Sequence, residues 1–155
     1  MSGISLNLKG HVGLTLMLLS LIFTSLGLKS LEYVKIVLFS AAFSSLPDID
    51  IRLGLHHRKY THNLLFVVIT SLMIGYVTHV SLNDFNLGFY SVIASGTIHL
   101  LGDSMTYMEF KPLYPLSGKS MALKLFKSNN MLINNLLMAS GILAFLTYIK
   151  FIINL

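Results

Sequence analysis

Two things are scarce in this sequence of 155 residues: cysteine, of which there is none, and charge, which only 11% of the residues carry. The lack of cysteine excludes disulfide frameworks, thiolate metal sites and thiol nucleophiles, and it leaves His, Asp, Glu, Ser and Thr as the reactive side chains. Soluble domains carry charge on roughly 25% of their residues, because a surface in water needs polar cover. With 54% hydrophobic residues, the chain is expected to be a small membrane protein.

Five apolar segments predict the fold, since a helix that crosses a bilayer takes about 17–25 residues. We expect an all-α membrane protein, a compact bundle of about five transmembrane helices that forms one domain over residues 1–155. The segments are 12–28, 34–46, 64–82, 87–101 and 131–153. The second is short and stops at Pro47, which cannot continue a helix. The fourth is rich in Ser, Gly and Thr, which suits burial among other helices, so a count of four spans stays open.

A polar region separates the last two segments. Residues 102–130 hold Pro112, Pro115 and the Ser117-Gly118 pair, all signals of irregular chain. Within the region, the stretch MALKLFK at 121–127 suits a short basic helix on the membrane surface.

Basic residues outnumber acidic ones by 11 to 6, and their distribution predicts the orientation. With five spans, eight of them fall on the side of the N-terminus and three on the other. Because basic loops face the cytoplasm, the N-terminus is predicted inside. Membrane orientation and anionic lipid headgroups account for the excess of basic residues, so no nucleic-acid partner is expected.

Metal-ligating side chains collect on the same predicted face. They come from the ends of four segments, and they are His11, Asp48, Asp50, His56, His57, His62, His99 and Asp103. Ionisable groups at the edge of hydrocarbon are costly to desolvate, and a divalent cation would compensate for that cost. Imidazole and carboxylate without thiolate suit zinc, with manganese or iron as alternatives. We expect one or two ions.

The spacing of these residues supports the prediction, although each piece also has a structural reading. His99 and Asp103 stand four apart, on one helical face, where they can bind one ion or simply pair with each other. Asp48 and Asp50 follow Pro47, where they can be ligands or cap helices. The histidines at 56 and 57 can belong to a basic surface loop. The agreement of all these groups on one face favours the metal site.

The order of these motifs resembles the YdjM-like family of inner-membrane proteins, which are described as metal-dependent hydrolases. The resemblance covers residues 10–120 through an early His11, LPDID at 46–50, HRKYTH at 57–62, HLLGDSMT at 99–106 and LYPLS at 113–117. The family run typically reads H-R-G-x-T-H-S, so Lys59 replaces a glycine and Asn63 a serine. These departures concern loop geometry and leave the ligands in place.

That family is in turn distantly similar to zinc-dependent phospholipase C and related single-strand nucleases, which are helical enzymes. The resemblance implies hydrolysis of a phosphoester, plausibly in a lipid headgroup, by metal-activated water. The ligand pattern of those enzymes is matched here by His11, Asp48 or Asp50, His62, and His99 with Asp103, so we expect the metal ligands among these six residues. We further expect His57 to be a ligand or a proton donor, Asp50 and Arg58 to take part in catalysis, and Arg58 or Lys59 to hold a phosphate oxygen. The later His and Glu ligands of those enzymes have no match here, which favours fewer ions.

Two other functions compete with hydrolysis. A non-catalytic, metal-stabilised interaction or regulatory protein would hold a saturated ion with no position for water. An ion transporter would place polar groups near mid-membrane and on both sides. The clustering on one face disfavours the transporter.

Overall fold

The computed structural model describes residues 7–54, 58 and 60–153. This part of the chain is helical, with two isolated β-bridges and no strand. Its helices are α1 (Leu8–Ser25), α2 (Leu31–Phe43), the one-turn α3 (Ile49–Arg52), α4 (Leu64–Leu82), α5 (Phe85–Ser104) and α6 (Met131–Ile153). A 3-10 turn, Leu46–Asp48, joins α2 to α3.

Polar side chains fix the starts of three long helices. The side chains of Asn7, Asn63 and Asp84 each accept a hydrogen bond from the backbone N–H three residues on, at 2.8–3.2 Å. This satisfies one of the N–H groups that a helix start leaves without an internal partner. Asn63 therefore caps α4. Serine, which is usual at this position in the family pattern, is another good N-cap residue.

The five long helices form one bundle, in which α1 packs against α6, α4 against α5, and α5 also against α2. The backbones of α1 and α6 approach each other closely. Gly13 and Gly141 face each other there, and a methyl group added to either would overlap the backbone of the other helix. Small residues allow this kind of close backbone contact between membrane helices.

Three helices are long and apolar enough to cross a membrane: α1, α4 and α6. The predicted segments 64–82 and 131–153 match α4 and α6 residue for residue. α2 has only 13 residues, which corresponds to roughly 20 Å at the helical rise. α5 has 20 residues but carries Ser, Gly, Thr, His and Asp, and much of it is buried among the other helices. The all-helical bundle is therefore found, whereas five full spans are not established.

The predicted interfacial helix at 121–127 is wrong. That stretch contains no helix, and its backbone forms hydrogen bonds to other parts of the chain. Phe110 and Met121 exchange two backbone hydrogen bonds, and Leu123 N–H donates to the carbonyl of Ser104. The backbone N–H and carbonyl groups of this segment pair with groups outside it. Such distant partners cannot be seen in the local sequence pattern.

We expect Gly141→Ala to destabilise the bundle, because the added methyl group would push α6 away from the backbone of α1 at Gly13. Overpacking of this kind lowers the free energy of unfolding by about 1–3 kcal/mol. Alanine stabilises a helix relative to glycine by about 1 kcal/mol, so we expect a net loss of stability. Thermal unfolding in detergent should show a lower midpoint.

Gly118→Ala is the matched control, because a methyl group there meets open space. Equal midpoints for the two variants would contradict the close crossing.

Candidate metal centre

Four donor atoms from three parts of the fold meet at one end of the bundle. They are Nε2 of His62, which precedes α4, Nε2 of His99 on α5, Oδ1 of Asp48 on the 3-10 turn, and Oδ2 of Asp103 at the end of α5. Five distances among them lie between 3.2 and 3.7 Å. A tetrahedral ion with bonds of about 2.0–2.1 Å would hold its ligand atoms roughly 3.3–3.4 Å apart. The spacing of the donors fits such an ion.

Hydrogen bonds set the tautomer of both histidines. Nδ1 of His99 lies 2.7 Å from the carbonyl oxygen of Ser44, which can only accept, so Nδ1 carries the proton. Thr61 donates its hydroxyl proton to Asp50 at 2.8 Å and lies 2.9 Å from Nδ1 of His62. The Thr61 oxygen therefore accepts from that nitrogen. In the neutral rings, both Nε2 lone pairs point at the centre.

The centre thus brings two lone pairs and two carboxylates together, and all of them are acceptors. Such a group needs a cation between its members. Burial alone would lower the pKa of His62, but its contacts with Asp103, Asp48 and Asp50 raise that pKa to about 10. The ring therefore holds a proton in the ion's place when no metal is bound, and metal binding would release it.

The pKa of Asp48 also depends on its neighbours in this group. Burial would raise the pKa of its carboxyl, but the hydrogen bond with His62 and electrostatic interactions with His99 and His11 outweigh burial and lower the pKa. The carboxylate is thus held in the ionised form that binds metals. Its side chain is 15% exposed, whereas those of His62, His99 and Asp103 are fully buried.

His11 lies beside this group rather than within it. Its ring stacks on that of His99, with centroids 3.7 Å apart. Its Nε2 lies 3.7 Å from Oδ1 of Asp103 and 3.9 Å from Oδ2 of Asp48, the carboxylate oxygens that are not among the four donors. Neither ring nitrogen has a hydrogen-bond partner in the described part of the chain. His11 can therefore add a fifth donor, and it also belongs to a possible ligand group with Asp48 and His99.

Asp50 takes a different position from the predicted one. Its Oδ2 lies 3.5 Å from Nδ1 of His62, on the side of the ring that faces away from the centre. The same oxygen accepts from Thr61 and from the backbone N–H of Arg58. A carboxylate behind a ligating histidine orients the ring and raises its basicity. The sequence did not distinguish this role from direct ligation, because Asp48 and Asp50 are close neighbours.

Arg58 is buried at the edge of the centre, with its Nη2 2.7 Å from Oδ1 of Asp103. Its Nη1 donates to the carbonyl of Met108 at 2.6 Å and to the hydroxyl of Thr106 at 3.2 Å. The backbone of Arg58 is left-handed, with φ 62°, which is costly for a residue with a side chain. The bond from its N–H to Asp50 helps to hold this conformation.

The charges of the described residues fit one divalent ion. Asp48, Asp50 and Asp103 contribute three negative charges and Arg58 one positive charge. With neutral imidazoles the group is left with two negative charges, which one divalent cation neutralises. A second divalent ion would need anions that these residues do not supply.

The remaining predicted residues fall elsewhere. His57 and Lys59, like His56, lie outside the described residues. His79 lies near the end of α4, at the opposite end of the bundle from the centre, as its isolated place in the sequence implied. Sequence reasoning missed Thr106 and the carbonyl groups of Ser44 and Met108, since contacts to backbone oxygens leave no pattern in a sequence.

Comparison with known protein families gives a match that spans most of the chain. The family described as YdjM inner membrane protein matches residues 6–154. The chain belongs to that family. No curated protein and no solved structure matches it. Membership of the YdjM family and three apolar helices support a location in the membrane.

We expect Asp50→Asn to weaken metal binding without abolishing it, because the ring of His62 loses its orienting carboxylate but keeps Nε2 at the centre. Loss of such a partner typically costs about 10–100-fold in metal affinity. A competition titration against a chromophoric chelator would measure the change.

Asp84→Asn is the control, because Asp84 caps α5 at the far end of the bundle. Unchanged affinity in the Asp50 variant would exclude a positioning role. A loss of bound metal that excess metal does not restore would make Asp50 a ligand.

Proposed function

We propose that this protein is a membrane-bound, metal-dependent hydrolase that cleaves a phosphoester, with a lipid headgroup as the natural class of substrate. One observation carries the proposal: the buried donors of His62, His99, Asp48 and Asp103 converge at a spacing that fits one divalent ion. Zinc is the first candidate for these ligands, with manganese or iron as alternatives. The phosphoester rests on the resemblance described above.

A divalent ion bound at these donors would supply Lewis acidity, which lowers the pKa of a water molecule towards about 7 and stabilises charge that develops on phosphorus-bound oxygens. The protein residues supply the rest of the proposed chemistry. His62 and His99 are held by Thr61 and Ser44 in the tautomer that binds. Asp48 is the most exposed of the four ligand residues, so it marks the side from which water and substrate would approach.

Arg58 is the proposed phosphate-binding residue. Its guanidinium lies against Asp103 at the edge of the centre, and its Nε has no hydrogen-bond partner among the described residues. A guanidinium in this place can hold a phosphoryl oxygen by a charge-assisted hydrogen bond. His11 is available to bind the ion or to accept a proton at Nε2, which lies near the second carboxylate oxygens of Asp48 and Asp103. The roles of His57, as a ligand or proton donor, and of Lys59, as a phosphate contact, stay predictions from the sequence.

A second function is favoured by the number of donors. Four protein ligands fill a tetrahedral ion, which is typical of structural sites, whereas catalytic sites keep a position for water. A metal-stabilised interaction or regulatory protein therefore competes with the enzyme. The two proposals differ in whether Asp48 can leave the ion or a fifth ligand can join it.

We expect the purified, zinc-loaded protein to hydrolyse bis(p-nitrophenyl) phosphate or the headgroup of phosphatidylglycerol presented in mixed micelles. Replacing two ligands, by His99→Ala with Asp103→Ala, should lower the rate by at least about 100-fold, because loss of the ion removes the Lewis acid. Release of p-nitrophenolate or of the headgroup measures the rate.

His79→Ala with Asp84→Asn is the matched control, because both residues lie at the opposite end of the bundle. If the protein holds tightly bound zinc and hydrolyses neither substrate, the structural role is favoured. Equal rates in both double variants would assign the activity to a contaminant.

A further inference from the structure

The segment 111–127, which we name the basic strap, carries four lysines and no acidic residue: Lys111, Lys119, Lys124 and Lys127. All four side chains are exposed. Lys124 pairs with Glu109, just before the strap, at 3.3 Å. The strap therefore presents a positive surface at the end of the bundle where the metal ligands lie.

Large apolar side chains stand exposed among these lysines. Leu116 is 93% exposed, Leu125 61%, Leu123 55% and Met121 43%. Leucine at such exposure is unfavourable in water, and a run of leucines between lysines is typical of chain that lies at a lipid–water boundary.

Hydrogen bonds fix the depth of the strap relative to the helices. The N–H of Leu64, the first residue of the candidate span α4, donates to the carbonyl of Pro112 at 2.9 Å. The N–H of Leu123 donates to the carbonyl of Ser104, the last residue of α5, and that of Leu125 to Met105. The strap is thus tied to the level at which α4 begins, which is where the headgroups of a bilayer would lie.

We propose that the basic strap rests on the anionic headgroup layer of the surrounding leaflet, with Leu116, Leu123 and Leu125 inserted among the lipids and the lysines on lipid phosphates. The positive charge of the strap favours anionic lipid as the surface that it contacts. The chain carries a formal net charge of +5, so a second copy would present a like-charged strap, whereas anionic phospholipid complements it. This proposal does not depend on the metal centre or on hydrolysis.

The sequence contains no tryptophan, so a single introduced tryptophan reports its own surroundings. We would place Leu116→Trp in the full-length protein and reconstitute it in vesicles of phosphatidylcholine, with or without phosphatidylglycerol. Phospholipids brominated on the acyl chain quench a tryptophan that enters the lipid. We expect strong quenching and a blue-shifted emission, and both should be greater with phosphatidylglycerol.

Asn129→Trp is the matched control, because Asn129 is exposed beyond the end of the strap and has no leucine beside it. It should be quenched less. Replacing Lys111, Lys119 and Lys127 by glutamine in the Leu116→Trp protein should remove the dependence on phosphatidylglycerol while Lys124 keeps its pair with Glu109.

Three results would overturn the proposal. One is a water-like emission from Leu116→Trp that brominated lipid does not quench. Another is quenching that is equal with and without phosphatidylglycerol. The third is a blue shift in detergent that grows with protein concentration, which would make a second copy the occupant.

Discussion

The structure depends on one electrostatic constraint, which is that four acceptors face each other inside an apolar bundle. Nε2 of His62 and of His99 and one oxygen each of Asp48 and Asp103 lie within 3.2–3.7 Å over the five distances measured among them. Without a cation this arrangement is strongly unfavourable, because buried carboxylates and lone pairs lose their hydration. A proton on His62 compensates for part of this unfavourable energy, and a divalent ion would compensate for all of it. The ends of the helices are arranged around this requirement.

Much of the fold could be predicted from the sequence. Apolar runs predict α4 and α6 with their observed bounds, and they place the ends of the segments on two faces. If these helix ends share one face, His62, His99 and Asp103 are expected to lie near each other, because His62 shortly precedes α4 and the other two lie in the last two turns of α5. Spacing four apart on α5 then puts the last two of these ligands on one helical surface.

Other features could not be predicted because they depend on contacts between distant parts of the chain. Neighbouring aspartates look alike in a sequence, yet Asp48 faces the centre and Asp50 stands behind His62. Arg58, counted among the basic loop residues, is buried against Asp103. Residues 121–127 of the basic strap are not helical because their backbone N–H groups donate to carbonyl groups of residues 104–110, outside the segment. The number of full spans also stays a prediction, because α2 is short and α5 is polar.

The central claim is that His62, His99, Asp48 and Asp103 bind one divalent metal ion, and elemental mass spectrometry of the detergent-purified protein tests it most directly. We expect one equivalent of zinc, manganese or iron per chain. The ion should be lost when His99→Ala and Asp103→Ala are combined, but retained in a folded protein with His79→Ala and Asp84→Asn. Absence of bound metal in the unaltered protein, even after loading with each of the three ions, would contradict the account.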